Sequence, residues 1–450
     1  MEYYSTRDRN TAVSFAAAAL AGLAPDGGLY IPGEIPRFPA AVISSLGAMR
    51  FADIALETIR PWVADDIPPV QLADLVESAF PFTAPLVAAG NRRVLELFHG
   101  PTAAFKDFGA RFMARAFSYF RRGEDRPLHI LVATSGDTGG AVADGFFGVE
   151  GISVTVLYPK GRVTPLQEKQ IAGRGGNISA AAVEGSFDDC QALVKAAFAD
   201  SELKRRLALS SANSINVARL VPQIVYYAAS SGRAFAGCVD PDGPATPRAG
   251  GGFPGEERNA EGREGIVVVP SGNFGNLTAG LYAKKMGAPI DFFVAATNIN
   301  KTVPDYLESG SYTARPSQET LSNAMDVGAP SNFERMAAHW SWEDLRGLVR
   351  GVPVTDDETR TAIETVYREH RYYLDPHGAV GWQAADKLRG LLSAASPVVV
   401  LATAHPAKFP ETVEPITGPV PVPGVLAEVM GREVCAAVIP PRLDALRELL

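Results

Sequence analysis

Short apolar runs, each followed by a glycine-rich turn and a helical pattern, recur along this chain of 450 residues. Near-continuous runs of Val, Ile and Leu are typical of strands that are buried on both faces of a sheet. Their alternation with helices indicates a parallel sheet covered by helices, and therefore an α/β fold. The strands predicted in this way are 128–133, 153–158, 266–270, 290–295 and 398–403.

The sequence pattern changes near residue 94, and we predict three domains. Residues 1–85 carry helical patterns separated by proline-rich turns, and we predict a helical N-terminal domain there. Two α/β domains with helices on both sheet faces are predicted at 86–215 and 216–450. Residues 230–265 are dominated by Gly, Pro, Ala and charged residues, so we expect a surface insertion or disordered loop that holds no catalytic residue.

Composition and residue spacing exclude several classes of protein. The chain has 42 basic and 50 acidic residues and a net charge of −8, whereas a nucleic-acid binder normally shows a basic surplus. The cysteines, Cys190, Cys238 and Cys435, are far apart and predict neither disulfides nor a zinc ribbon, which fits a reducing cytoplasm. The six histidines have no metal-ligand spacing, so no metal site is expected. The longest uncharged stretch, 265–283, is broken by Pro270, so no membrane span is expected.

An Ala-rich stretch near the start of the chain, residues 10–25, has two interpretations. It follows Arg7 and Arg9, as a signal peptide would follow a basic segment. Because Glu2 and Asp8 cancel that charge and the centre is only mildly apolar, we favour a buried helix.

The predicted strand at 266–270 runs into a turn of Ser, Gly and Asn that opens a helix. Free backbone N–H groups at a helix N-terminus, with glycines that allow close approach, form an anion site suited to one phosphate. The turn is neither a G-x-G-x-x-G fingerprint nor a P-loop. A tight turn that binds nothing is the alternative. The candidate phosphate-binding residues are Gly272, Asn273, Phe274, Gly275 and Asn276.

The predicted strand at 128–133 is followed by the same arrangement of polar, glycine-rich turn and helix. Hydroxyl and amide groups at this second helix start are suited to a carboxylate. The alternative is that Ser135 or Asp137 simply caps the helix. Two such anion sites in one chain suggest a ligand with two anionic ends.

Lys106 is the third candidate, because it lies at the start of a predicted helix between aromatic residues. Phe105, Phe108 and Phe112 fall at helical spacing and form one apolar stripe. A partly desolvated lysine near a helix N-terminus has a lowered pKa, which favours an amine nucleophile or a Schiff base. A lysine beside an apolar stripe is otherwise a surface residue whose charged end reaches water.

Taken together, these segments resemble the threonine synthases, which are pyridoxal-phosphate enzymes of fold type II, related to the tryptophan synthase β-subunit. The resemblance covers nearly the whole chain except 230–265. The segments that carry it are 4–7, 22–32, 99–109, 135–139, 158–161, 165–170, 213–216, 271–276, 297–298, 321–326, 376–380 and 403–409.

The resemblance implies a role for each candidate. Lys106 would form a Schiff base with pyridoxal 5'-phosphate and then carry protons. The turn at 272–276 would hold the cofactor phosphate, and the Thr403 hydroxyl would contact the pyridine nitrogen. Asp137 stands where fold relatives carry Asn near the cofactor 3'-oxygen, and it would bind cofactor. The substrate would be held at its carboxylate by Ser135, Gly136 and Thr138 and at its phosphate by Asn213, Ser214 and Arg219.

The activity implied is that of a carbon–oxygen lyase in the last step of threonine biosynthesis. It would convert O-phospho-L-homoserine and water to L-threonine and phosphate, through γ-elimination and then β-hydration. One alternative is a pyridoxal-phosphate-dependent phospholyase or dehydratase that gives 2-oxobutyrate, although the segment 321–326 favours a threonine synthase. The second alternative is a non-catalytic regulator that binds pyridoxal phosphate. Such a protein would not need Lys106, both anion sites and Thr403 together, so their joint presence argues against it.

Overall fold

The computed structural model describes residues 1–235, 265–389 and 397–450. Its first part is helical, with one antiparallel strand pair in which Tyr3 lies opposite Pro32. The first helix is capped by the Ser14 side chain and buries Phe15 and Ala18, so the predicted buried helix is confirmed. The elements are β1 Tyr3–Ser5, α1 Phe15–Ala21, β2 Tyr30–Pro32, α2 Ala40–Ser45, α3 Phe51–Val63 and α4 Pro69–Ala79.

The middle part alternates strands and helices, as the sequence predicts. Its elements are β3 Leu86–Ala89, β4 Arg92–Glu96, α5 Lys106–Phe120, β5 Leu128–Ala133, α6 Asp137–Phe146, β6 Ile152–Pro159, α7 Pro165–Ala172, β7 Ile178–Val183, α8 Phe187–Ala199, α9 Ser201–Arg206, β8 Ala208–Ser211, α10 Val217–Leu220 and α11 Ile224–Phe235. A 3₁₀ turn at Val221–Gln223 joins the last two helices.

The last part continues the alternation. Its elements are β9 Gly265–Pro270, α12 Gly275–Met286, β10 Ile290–Thr297, α13 Thr302–Ser309, α14 Phe333–His339, α15 Trp342–Leu348, β11 Val349–Pro353, α16 Asp356–His370, α17 Pro376–Lys387, β12 Val398–Ala402, α18 Pro410–Thr417, α19 Gly424–Met430, β13 Ala437–Ile439 and α20 Leu443–Leu449. Two 3₁₀ turns, Asn323–Met325 and Pro406–Lys408, lie within it. No helix in the described ranges combines the length and apolar character needed to cross a bilayer.

Two larger sheets organise these elements. One has six strands in the order β11-β10-β9-β12-β4-β3, all parallel except the antiparallel pair of β3 and β4. The other has five parallel strands in the order β13-β7-β6-β5-β8. The segments 86–215 and 216–450 each contribute strands to both sheets, because β3 and β4 join the first sheet and β13 joins the second.

The central strands of both sheets are buried on both faces. In β9, Ile266 and Val268 pack into one hydrophobic cluster and the alternating Val267 and Val269 pack into another. Successive side chains of a strand point to opposite faces, so neither face of this strand meets solvent. The predicted α/β fold with doubly buried parallel strands is therefore confirmed.

The predicted loop at 230–265 is wrong at both ends. Residues 230–235 complete α11, and Gly265 begins β9. The small residues that indicated a loop instead allow close helix packing, because a Cβ at Gly232 would lie 2.6 Å from the Leu46 side chain. Residues 236–264 lie outside the described part of the chain.

Candidate active site

A pocket of about 270 Å³ lies at the carboxyl ends of several parallel strands, where α/β proteins commonly bind ligands. Thirteen of the fourteen predicted site residues line it. Gly136 does not; its φ is +139°, and a Cβ there would lie 2.5 Å from Gln167. The thirteen are Lys106, Ser135, Asp137, Thr138, Asn213, Ser214, Arg219, Gly272, Asn273, Phe274, Gly275, Asn276 and Thr403.

Lys106 is the first residue of α5, and the backbone before it is fixed to the strand end that carries Thr403. The Phe105 N–H donates to the Thr403 carbonyl at 2.8 Å. Burial lowers the pKa of Lys106 to about 8, with Asp137 opposing this change and Arg219 adding to it. An amine with this pKa is partly neutral near pH 7, as a nucleophile requires.

Asp137 forms a buried ion pair that sequence reasoning missed. Its Oδ1 atom lies 2.7 Å from Lys408 Nζ and accepts a hydrogen bond from Gln167 Nε2 at 2.9 Å. Burial disfavours the carboxylate, but Lys408 and Lys106 outweigh burial and hold the pKa of Asp137 well below its ordinary range. Lys408 lies in the apolar segment Pro406–Phe409, and a lysine in such surroundings was the available signal.

The start of α6 has an arrangement suited to an anion. Its N-cap residue is Gly136, which has no side chain, so the interpretation of Ser135 or Asp137 as a simple cap is wrong. Thr134 Oγ1 accepts the N–H groups of Gly136 and Gly139 at 3.0 and 2.8 Å. The N–H groups of Asp137 and Thr138, the first two helical residues, have no acceptor within the helix, so they remain for a ligand.

The start of α12 has no capping side chain. Phe274 precedes it with a φ of +60°, a left-handed conformation that costs energy for a non-glycine residue. Asn276 accepts hydrogen bonds from the Tyr226 and Tyr227 hydroxyl groups at 2.6 and 2.7 Å. Its Nδ2 atom is buried without a partner in the described chain, which leaves a donor at this helix start.

A hydrogen-bond network joins this turn to the neighbouring loops. Asn273 donates to Ser214 Oγ at 2.6 Å and accepts from the Ser331 N–H at 2.6 Å. Asn332 in turn accepts from Arg335 at 2.6 Å. The network fixes both Asn273 and Ser214 at the pocket wall.

The other two residues predicted to bind the substrate phosphate differ in how free their side chains are to bind an anion. Asn213 uses its amide on the Ala133 backbone, donating to the carbonyl at 2.8 Å. Arg219 is 2% exposed, and burial lowers its pKa to about 10 although Asp107 opposes this. Its Nε atom has no partner among the described residues. Arg219 is therefore better placed than Asn213 to bind an anion.

His377 also lines the pocket and was missed. Its Nδ1 atom lies 2.7 Å from Asp375 Oδ1, and its Nε2 atom accepts from the Ala324 N–H at 3.3 Å. Asp375 additionally caps α17 through the backbone of His377 and Gly378. The sequence signal was an Asp-Pro-His start to a helix, a pattern that serves capping alone in most proteins.

Comparison with known proteins identifies the family. Residues 2–80 match the family described as threonine synthase N terminus, residues 94–404 the pyridoxal-phosphate dependent enzymes, and residues 378–450 the threonine synthase C-terminal family. Threonine synthase of Escherichia coli (strain K12) is 41% identical over 452 residues, covering 100% of this chain and 99% of that protein. The chain belongs to the threonine synthase family. Threonine synthase of Haemophilus influenzae is 42% identical, covering 95% and 94% of the two chains.

Solved structures agree with this membership in the threonine synthase family. The crystal structure of threonine synthase from Escherichia coli has a TM-score of 0.87, covering 100% of this chain and 99% of that one. The pyridoxal-phosphate-bound threonine synthase of Brucella melitensis also has a TM-score of 0.87, with 37% identity and coverage of 100% and 98%. A threonine deaminase from Solanum lycopersicum has a TM-score of 0.55 at 16% identity and shares the fold alone.

The cofactor of this threonine synthase is pyridoxal 5'-phosphate, and the pocket is chemically suited to it. The buried Asn276 donor without a partner lies beside the uncapped start of α12, where a phosphate is favoured. Lys106 projects into the same pocket and has no hydrogen-bond acceptor among the described residues. A phosphate donor set and an available amine are the two features that this cofactor requires.

Proposed function

We propose that this threonine synthase converts O-phospho-L-homoserine and water to L-threonine and phosphate, and that Lys106 is its catalytic residue. The observation that carries this proposal is the position of Lys106 in one pocket with two helix starts that offer N–H groups to a ligand. One helix start suits the cofactor phosphate and the other suits the substrate carboxylate. The Lys106 amine has a pKa of about 8, which suits both attack and proton transfer.

The bound cofactor supplies an electron sink for carbanion chemistry next to the substrate amine. Lys106 would hold the cofactor before substrate arrives and, once released, would take the proton from the substrate Cα. The same amine would move protons at Cβ and Cγ, since it is buried in the pocket and its pKa is lowered to about 8. Thr403 would offer its hydroxyl to the cofactor ring, because its carbonyl is already used by Phe105.

Substrate binding would use the two remaining sets of donors. Ser135, Thr138 and the free N–H groups at the start of α6 would hold the carboxylate. The hydroxyl of Ser214 and the guanidinium of Arg219 would hold the substrate phosphate, since a guanidinium is suited to a phosphate dianion. Gly136 would act through the backbone turn that it permits and Asn213 through its hold on β5, rather than by contact with substrate.

A phospholyase giving 2-oxobutyrate would use the same cofactor and the same fold. The purified protein incubated with O-phospho-L-homoserine should therefore be analysed for organic products by chromatography. We expect threonine in equal amount to the phosphate released. Predominant 2-oxobutyrate would refute the hydration step while leaving the cofactor assignment intact.

The role of Lys106 is tested by Lys106→Ala. The variant should lose borohydride-trapped cofactor from the peptide that contains residue 106 and should lose turnover by at least about 10³-fold. Lys387→Met is the matched control, because Lys387 pairs with Glu358 outside the pocket. Normal turnover in Lys106→Ala would overturn the assignment.

We further propose that the enzyme works in the cytoplasm. Cys190 is buried and Cys435 is exposed, and both are free thiols, as expected in a reducing compartment. Fractionation of the source cells with detection by antibody checks this location.

A further inference from the structure

Lys408 is a fully buried lysine next to the candidate active site. Its side chain is 0% exposed, and its Nζ atom lies 2.7 Å from Asp137 Oδ1 and donates to the Thr102 carbonyl at 2.9 Å. A buried ammonium ion is costly unless it is paired and hydrogen-bonded. Packing alone therefore does not explain why a lysine stands at this buried position.

The backbone places Lys408 against the turn that precedes Lys106. The His405 N–H donates to the Ala103 carbonyl at 3.0 Å, and Ala404 forms an antiparallel bridge with Ala104. This contact fixes the 3₁₀ turn that carries Lys408 beside the start of α5. As a result, Lys106 and Lys408, which are far apart in the sequence, both lower the pKa of the Asp137 carboxyl group.

Without a second cation, this carboxylate would favour the ammonium form of Lys106. Asp137 raises the pKa of Lys106, whereas burial, Arg219 and Lys408 lower it. Asp107, the acidic neighbour on the same helix, is already held by the N–H and hydroxyl groups of Thr102. The ammonium form cannot attack a carbonyl carbon, so an uncompensated Asp137 would slow cofactor attachment.

We infer that Lys408 is a positioning residue that occupies the Asp137 carboxylate and thereby leaves the Lys106 amine available to the cofactor. The inference rests on the proposed role of Lys106. It does not require Lys408 to touch cofactor or substrate. Its effect on Lys106 comes from its positive charge, which offsets the negative charge of the neighbouring Asp137.

The test measures cofactor attachment to the full-length chain as a function of pH. Pyridoxal 5'-phosphate is removed and then added back between pH 6 and 9, the adduct is trapped with borohydride, and its amount on the peptide containing Lys106 is measured by mass spectrometry. The variants are Lys408→Met, Asp137→Asn and the double variant. Lys387→Met is the control, because Lys387 also contacts one carbonyl and one carboxylate, those of Pro353 and Glu358, outside the pocket.

We expect the rate profile of Lys408→Met to move to higher pH, with attachment at pH 7 about tenfold slower, as a one-unit rise in the pKa of Lys106 would give. The Lys387→Met profile should match the wild type. A Lys408→Met profile equal to the wild type, or slower by one factor at every pH, would overturn the inference.

The double variant keeps the inference testable if Lys408→Met does not fold, because replacing both partners of a buried pair is commonly tolerated. Asp137→Asn should move the profile to lower pH, and adding Lys408→Met should return it toward the wild type. Identical profiles for Asp137→Asn and the double variant would show that Lys408 has no effect on Lys106. Failure of the proposed function is distinct, since the wild type would then carry no cofactor on the peptide containing Lys106.

Discussion

Replacement of Arg335 by methionine should destabilise the protein substantially, although the residue lies outside the pocket. Arg335 is fully buried and donates to the carbonyls of Tyr30 and Ile215 and to Asn332 Oδ1. These acceptors belong to the N-terminal part of the chain, to the turn beside Ser214 and to the loop beside Asn273. One guanidinium therefore joins three segments that meet at the active site.

The size of the effect follows from two opposing contributions. Burial lowers the pKa of Arg335 to about 10, which corresponds to a penalty of about 3 kcal/mol for the buried charge. Three hydrogen bonds from a charged donor contribute about 1.5–3 kcal/mol each. The bonds exceed the penalty by about 3 kcal/mol, so Arg335→Met should lower the free energy of unfolding by about that amount.

Urea unfolding followed by circular dichroism measures this change, with cofactor present at a fixed concentration. Arg315→Met is the matched control, because Arg315 is half-exposed and pairs with Asp305 at 2.8 Å on the surface. Surface pairs of this kind contribute about 0–1 kcal/mol, so the control should unfold near the wild-type urea concentration. If Arg335→Met and Arg315→Met unfolded at the same urea concentration, the reasoning from the buried network would be wrong.

Three further predictions concern the pocket and a carboxyl group next to it. Gly272→Ala should weaken cofactor binding in a fluorescence titration and destabilise the fold by about 1–3 kcal/mol, because its Cβ would lie 2.7 Å from the Met325 backbone. The control is Gly347→Ala in a helix, where the added Cβ would have no atom within 4 Å; it should be neutral or stabilising. Cofactor attachment to Lys106 should rise about tenfold per pH unit below pH 8 and level off above it, because burial holds its pKa at about 8 and the neutral amine reacts; a flat profile from pH 6 to 9 would contradict this. Burial raises the pKa of Asp326 to about 7. The stability that its protonated form contributes is therefore fully present below about pH 4 and is lost as the pH rises through 7. The unfolding midpoints of Asp326→Asn should consequently vary less between pH 5 and 8 than those of the wild type.

The sequence alone predicted the features that depend on neighbouring residues. The apolar runs indicated the doubly buried strands, because a strand without a solvent face carries apolar residues at every position. The turn before α12 and the lysine at the start of α5 were predicted because their chemistry lies within a few consecutive residues. The placement of thirteen predicted residues around one pocket follows from parallel strands, whose carboxyl ends meet at one edge of a sheet.

Only the tertiary structure decided which distant residues meet. Lys408 pairs with Asp137 because β12 and β5 end at the same pocket, although the two residues are far apart in sequence. The small residues at 230–235 form a helix because a neighbouring segment packs closely against them, and composition does not distinguish that packing from a loop. Local patterns determine strands, helices and turns through backbone geometry and side-chain periodicity. Ion pairs and sheet order depend on the free energy of the whole folded chain, which cannot be read from any short segment.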